Sequence, residues 1–154
     1  MNNFAWIKGL IFGIIFSFVS ALLFMLIGQA WAGGITSFWG ESWLYLSVIV
    51  PFAITFAVLG GYFHNKKESS NKKLWLISLI CAFLVTLYSG TIGALSAEFI
   101  LRGGSLRTTI PGGYTGVNVE DTLIWGTIYA FILLPLTTPL ARFLIGIFYK
   151  LIKR

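Results

Sequence analysis

WLYLSVIVPFAITFAVLGGYF, residues 43–63, carries no charged side chain and ends at HNKKESSNKK, residues 64–73. A helix rises ~1.5 Å per residue, so about 20 apolar residues cross the ~30 Å hydrocarbon core of a bilayer. In lipid every backbone N–H and C=O must find its partner inside the segment, which makes such a run a helix. The alternating pattern of a membrane barrel is absent. The stretch therefore predicts a transmembrane helix that stops where the lysines begin.

Three further runs repeat the pattern. Residues 9–32 are uncharged, residues 74–98 carry a charge only at the closing Glu98, and residues 122–149 contain Arg142 alone. The expected fold is an all-α integral membrane protein with four transmembrane helices, about 9–32, 43–63, 74–98 and 122–149. They form a single domain over 1–154. Residues 64–73 are its basic loop and residues 99–121 a loop on the opposite side. Composition agrees: 57% of residues are hydrophobic, 10% are charged and the mean hydropathy is +0.87. Soluble domains average ~45–50% apolar and ~25% charged.

The net charge of +6 does not point to nucleic acid, because the charges lie in short clusters between apolar runs. Lys8, the loop lysines Lys66, Lys67, Lys72 and Lys73, and the tail residues Lys150, Lys153 and Arg154 all fall on one side of a four-span chain. Short basic loops stay in the cytoplasm, so both termini are expected there, in a plasma or inner membrane. The loop lysines are expected to hold anionic lipid. Trp6, Tyr62, Trp75 and Tyr149 mark one interface, and Trp31, Trp39, Trp43, Tyr45 and Trp125 the other. Ala30-Trp31-Ala32 resembles a signal-cleavage site, but the apolar stretch before it exceeds the usual ~7–15 residues, so the segment is expected to stay as a span.

Lipid tails are as apolar as leucine, so helix association depends on small residues that let backbones approach. Gly9, Gly13 and Ser17 form such a stripe in the first run; Gly90, Gly93 and Ala97 form one in the third. Each is expected to face another helix, of this chain or of a partner. Pro51 interrupts the second run, and Pro135 and Pro139 the fourth. Proline lacks an N–H and crowds the carbonyl four residues back, so the fourth helix is expected to bend. Thr137 and Thr138 are placed to re-satisfy the freed carbonyls.

Glu98 and Arg102 stand four apart before Gly103 and Gly104. That order suits an i,i+4 pair and a glycine-closed helix end at an interface. The other reading is a polar path or a partner contact formed by Glu98, Arg102, Thr137, Thr138 and Arg142. Arg142 is expected to snorkel toward headgroups. Residues 102–121 hold five glycines and a proline, which favour turns, with short extended pieces at Thr108–Ile110 and Tyr114–Val119. If anything is recognised outside, Arg107 and Tyr114 are the candidate anchors.

Chemistry is conspicuous by its missing parts. With one histidine (His64) and one cysteine (Cys81), no zinc set, thiol-exchange pair or nucleophilic triad can be assembled, and no phosphate loop is present. No acid lies deep in the first run, as small multidrug-type transporters require. No cofactor, metal or catalytic residue is expected. The expected function is that of a non-catalytic accessory or structural subunit, with other membrane subunits or further copies as partners. The alternative is an oligomeric channel or transporter whose polar path passes the Pro135/Pro139 bend and Glu98.

Overall fold

The computed structural model describes residues 3–31, 33–34, 37–38, 42–66, 69–104, 107–110 and 113–153; at 3, 31, 107–110 and 113–115 it describes the backbone alone. The order is α1 (Asn3–Trp31), α2 (Ser42–Asn65), α3 (Asn71–Tyr88), a π-helical turn (Ser89–Gly93), α4 (Ala94–Leu101), β1 (Arg107–Ile110), β2 (Gly113–Gly116), α5 (Val119–Ile132) and α6 (Leu134–Lys153). Three helices are long and apolar enough to cross a membrane: α1, α2, and the continuous rod from Asn71 to Leu101.

The fourth run departs from the single span expected over 122–149. It is two helices, α5 and α6, bent by 69° at Leu133, and it counts as a fourth span if the bent pair crosses as one. The backbone explains the break. Pro135 has no N–H to give the Phe131 carbonyl. The Leu136 N–H then turns to the Leu133 carbonyl at 3.0 Å, one residue short of the α-helical acceptor. Pro139 stays inside α6 and Pro51 inside α2, so neither of those prolines ends a helix.

The other boundaries also run past the expected ones. Lys8 does not start α1; its ammonium sits over the Phe4 ring one turn earlier, 4.6 Å from the centroid. Ser70 caps α3 by accepting from the Lys73 N–H. The third helix does not end at Glu98 but continues to Leu101. There Arg102, Gly103 (φ 69°) and Gly104 (φ 92°) close it: the Gly103 N–H reaches the Ile100 carbonyl at 3.1 Å and the Gly104 N–H the Phe99 carbonyl at 2.8 Å. That pair of bonds is the Schellman closure, which needs left-handed residues past the cap.

Packing is tightest where side chains are missing. A Cβ on Gly9 would overlap the Phe56 carbonyl, and one on Gly13 would lie 2.5 Å from the Phe52 oxygen, so α1 and α2 run backbone against backbone. At the far end of this pair a Cβ on Gly60 would overlap the Ala5 carbonyl. On the third rod a Gly90 Cβ would lie 3.1 Å from the Gly126 Cα, and a Gly93 Cβ 2.7 Å from the Ser47 oxygen. These glycines pack within the chain. Ser17 and Ala97 are buried beside them.

Two apolar clusters flank the middle of the molecule. One joins Phe56, Leu59 and Phe63 of α2 to Leu74 of α3 and to Leu144, Ile145 and Phe148 of α6. Its ring contacts are close: Phe148 lies 4.8 Å from Phe12 and meets Phe56 edge-on at 5.3 Å. Such pairs are worth ~0.5–1.5 kcal/mol each beyond area burial. The other joins Ala21 and Met25 of α1 to Tyr45 and Val48 of α2. Outside the rods, β1 and β2 form an antiparallel hairpin pairing Thr109 with Tyr114 and Ile110 with Gly113. The second extended piece stops at Gly116 rather than Val119. Asn118, itself extended, caps α5 by accepting from the Asp121 N–H at 3.2 Å.

Candidate functional site

Between the two clusters lies a cavity of about 530 Å³. All the long helices wall it: Ser20 of α1, Phe52 of α2, Val85 of α3, Trp125 of α5 and Leu144 of α6 stand on it. Its existence follows from the breaks described above. The π turn shifts the third rod's face by one residue, which brings both Ser89 and Glu98 to the same cavity. The 69° bend swings α6 away from the line of α5, and Leu133 and Thr137 of that break form part of the wall.

Charge sits at one end. Glu98 and Arg102 both line the rim, and the Arg102 Nε–H donates to the Glu98 Oε2 at 2.8 Å. Both side chains remain about a third exposed, at 28% for Glu98 and 35% for Arg102. Their formal charges sum to zero. The arginine's two terminal NH₂ groups and the second carboxylate oxygen remain available to a guest.

The hydroxyls divide into two groups. Helical serine and threonine normally bond back to a carbonyl of the preceding turn. Ser78, Thr91, Ser96 and Thr127 do so, and so does Thr137, whose hydroxyl donates to the Leu133 carbonyl at 3.0 Å. The Leu133 carbonyl already accepts the Leu136 and Thr137 N–H groups, so the Thr137 hydroxyl does not reach the Phe131 carbonyl from which Pro135 withholds a donor. Thr138 does not reach it either, because its hydroxyl is buried without a partner. Four cavity residues, Ser20, Thr55, Thr86 and Ser89, also lack a hydrogen-bond partner among the described residues. Ser20 is buried to 4% exposure.

Arg142 is not on the cavity and is not simply stretched toward solvent. One terminal nitrogen donates to the Asn71 Oδ1 at 2.8 Å, and the guanidinium lies 5.9 Å from the Trp75 ring centroid. It ties α6 to the first turn of α3. Nearby, the Tyr149 hydroxyl accepts from the Ser69 N–H at 3.2 Å, and Lys153 bonds the Lys66 carbonyl. Lys72 and Lys73 are exposed at the start of α3, while Lys67 lies outside the described residues. Arg107 and Tyr114 are placed on the hairpin strands by their backbones, and their side chains lie outside the description. Among the described residues no cluster of three His, Cys, Asp or Glu side chains stands ready for a metal.

No family model, no curated protein and no solved structure matches this chain. It is a membrane protein of helical hairpins, and the internal cleft is the feature on which a function can rest.

Three members of the cleft carry no mark in the sequence. Ser20, Thr55 and Thr86 are ordinary small polar residues inside apolar runs, and nothing local distinguishes them. The one available signal is the Ser89-Gly90-Thr91 cluster, since small and hydroxylic residues at one spot of a span accompany irregular helix.

Proposed function

We propose that the protein is a small non-catalytic integral membrane protein, an accessory subunit that binds rather than transforms, with both termini and residues 64–73 cytoplasmic in a plasma or inner membrane. The observation that carries this reading is the makeup of the cleft. Its charged residues, Glu98 and Arg102, neutralise each other, and the remaining wall offers hydroxyls, the lone Cys81 thiol and apolar surface; Cys81 lies 17 residues along the rod from Glu98, roughly 25 Å, out of reach of that carboxylate. Catalysis by acid–base or nucleophilic routes needs its groups within hydrogen-bond reach. The orientation rests on the basic clusters at Lys8, residues 66–73 and residues 150–154, which share one side if α5 and α6 cross as one span. Purification in mild detergent tests the subunit reading. Co-elution with other membrane subunits, or with further copies, is expected; a homogeneous single-chain particle would overturn it.

A second reading is favoured by one observation. The unbonded hydroxyls of Ser20, Thr55 and Thr86 lie along the same cleft that reaches from Glu98 to Thr137. In an oligomer, that row would make a polar path for a solute. Solute flux into liposomes that is lost in Thr86→Val and Glu98→Gln would establish it. Flux unchanged in both variants would remove it.

A further inference from the structure

We infer that the cleft is the seat of one phospholipid of the zwitterionic phosphoethanolamine class, with its head at Glu98 and Arg102 and one acyl chain running inward past Val85. The inference extends the binding reading given above but stands or falls on different measurements.

Dimensions select the guest. Cys81 and Arg102 both stand on the wall and are 21 residues apart along one rod, roughly 30 Å at the helical rise. A helix of ~10 Å diameter over that length fills roughly 2,400 Å³, several times the cavity's 530 Å³, so a partner's transmembrane segment does not fit. A flexible hydrocarbon chain does, and its natural source is the surrounding bilayer. The volume also falls within the ~300–1,000 Å³ range of small-molecule sites.

Charge selects the head. The rim presents a positive and a negative group side by side, bonded to each other through one nitrogen and one oxygen. A phosphate can take the free NH₂ groups of Arg102 while an ammonium takes the second oxygen of Glu98, with each charge meeting its opposite. A purely anionic head would gain the arginine but lie against the Glu98 carboxylate, which repels it. The rim therefore discriminates by its acid.

One hydroxyl is placed for the ester. Gly13 packs on Phe52, so Ser20, seven residues on along antiparallel α1, stands near the level of Tyr45; Gly93 packs on Ser47, which puts that level near Leu95 on the third rod. Ser20 thus lies about three residues, roughly 5 Å, inward of Glu98. It lines the cleft, is buried to 4% exposure and lacks a partner. An acyl-ester carbonyl lies just inward of a phospholipid's phosphate, where this hydroxyl can donate to it.

The test reconstitutes the full chain in nanodiscs of equimolar palmitoyl-oleoyl phosphatidylethanolamine and phosphatidylglycerol and releases it for native mass spectrometry. One retained phospholipid per chain is expected, with the ethanolamine lipid enriched about 1.4- to fivefold, the range of a single exposed charge contact. Glu98→Gln should abolish the enrichment while leaving a lipid bound. Val85→Trp, and independently Thr86→Phe, should fill the chain channel and lose the lipid with helical content unchanged. A wild-type chain free of lipid, filled variants that retain it, or enrichment unaffected by Glu98→Gln would overturn the proposal. Loss of partner co-elution with lipid retained would instead remove the subunit reading alone.

Discussion

Placing a methyl group at Gly9 tests the packing of α1 on α2. In Gly9→Ala the new Cβ would overlap the Phe56 carbonyl, and in Gly13→Ala it would sit 2.5 Å from the Phe52 carbonyl oxygen. Both obstacles are backbone, so no side-chain rotation relieves them. Overpacking costs ~1–3 kcal/mol, and a rigid carbonyl belongs at the upper end. Alanine returns ~0.5–1 kcal/mol through its better helix propensity, leaving a net loss of about 1–2.5 kcal/mol per site. The two positions lie one turn apart, within the distance where effects couple, so a single separation of the helices accommodates both and the double variant falls short of the sum. Against a total of ~5–15 kcal/mol these losses are large. Gly28 is the control: it lies in the same helix and its Cβ would meet nothing within 4 Å. Gly28→Ala should therefore hold or gain stability by ~0.5–1 kcal/mol. The assay is unfolding by dodecyl sulfate in mixed micelles, followed by tryptophan fluorescence. The midpoint should order as Gly28→Ala at or above wild type, then Gly13→Ala, then Gly9→Ala, then the double variant. A Gly9→Ala midpoint equal to that of Gly28→Ala would refute the backbone contact.

Three further outcomes follow from the same geometry. Pro135→Ala restores an N–H for the Phe131 carbonyl and should straighten the break; spin labels at Ile124 and Leu151, roughly 34 Å apart across a 69° bend, should separate toward roughly 40 Å in a double electron–electron resonance measurement. An unchanged distance would mean that contacts of α6, not the proline, hold the bend. Arg142→Gln should cost ~0.5–1 kcal/mol through the lost charged hydrogen bond to Asn71, which is exposed, and should alter Trp75 fluorescence, with Asn71→Ala adding little once Arg142 is gone. Asn118→Ala should cost about 1 kcal/mol by uncapping α5, read as faster amide exchange at Asp121 and Thr122.

The helices are legible in the sequence because each apolar run obeys one constraint, the hydrogen bonding of backbone in lipid. Their ends are less so, since Lys8 and Arg102 are charged yet helix-compatible, and charge alone does not stop a helix. The stripes at Gly9, Gly13, Gly90 and Gly93 can be seen as packing surfaces, but which helix each meets is a non-local fact. Two prolines four apart point to a bend, whereas the break falls at Leu133 because the missing N–H is felt one turn upstream. The cleft is not legible at all. It depends on a one-residue shift in the π turn and on the swing of α6, and no short segment encodes either. Glu98 and Arg102 pair as their spacing implies, but their position on a cavity rim needs four other helices in place. Arg142 reaches Asn71 across a long stretch of chain, a contact that forms only when α6 folds back.

Everything rests on an even number of crossings with the bent α5–α6 pair counted as one. Replace Cys81 by serine, introduce single cysteines at Phe4, Ser69, Gly104 and Lys153, and label intact cells with a membrane-impermeant maleimide. Labelling is expected at Gly104 alone before the cells are opened, and at all four positions afterwards. Labelling of Lys153 from outside, or of Phe4 and Ser69 from opposite sides, would contradict that topology.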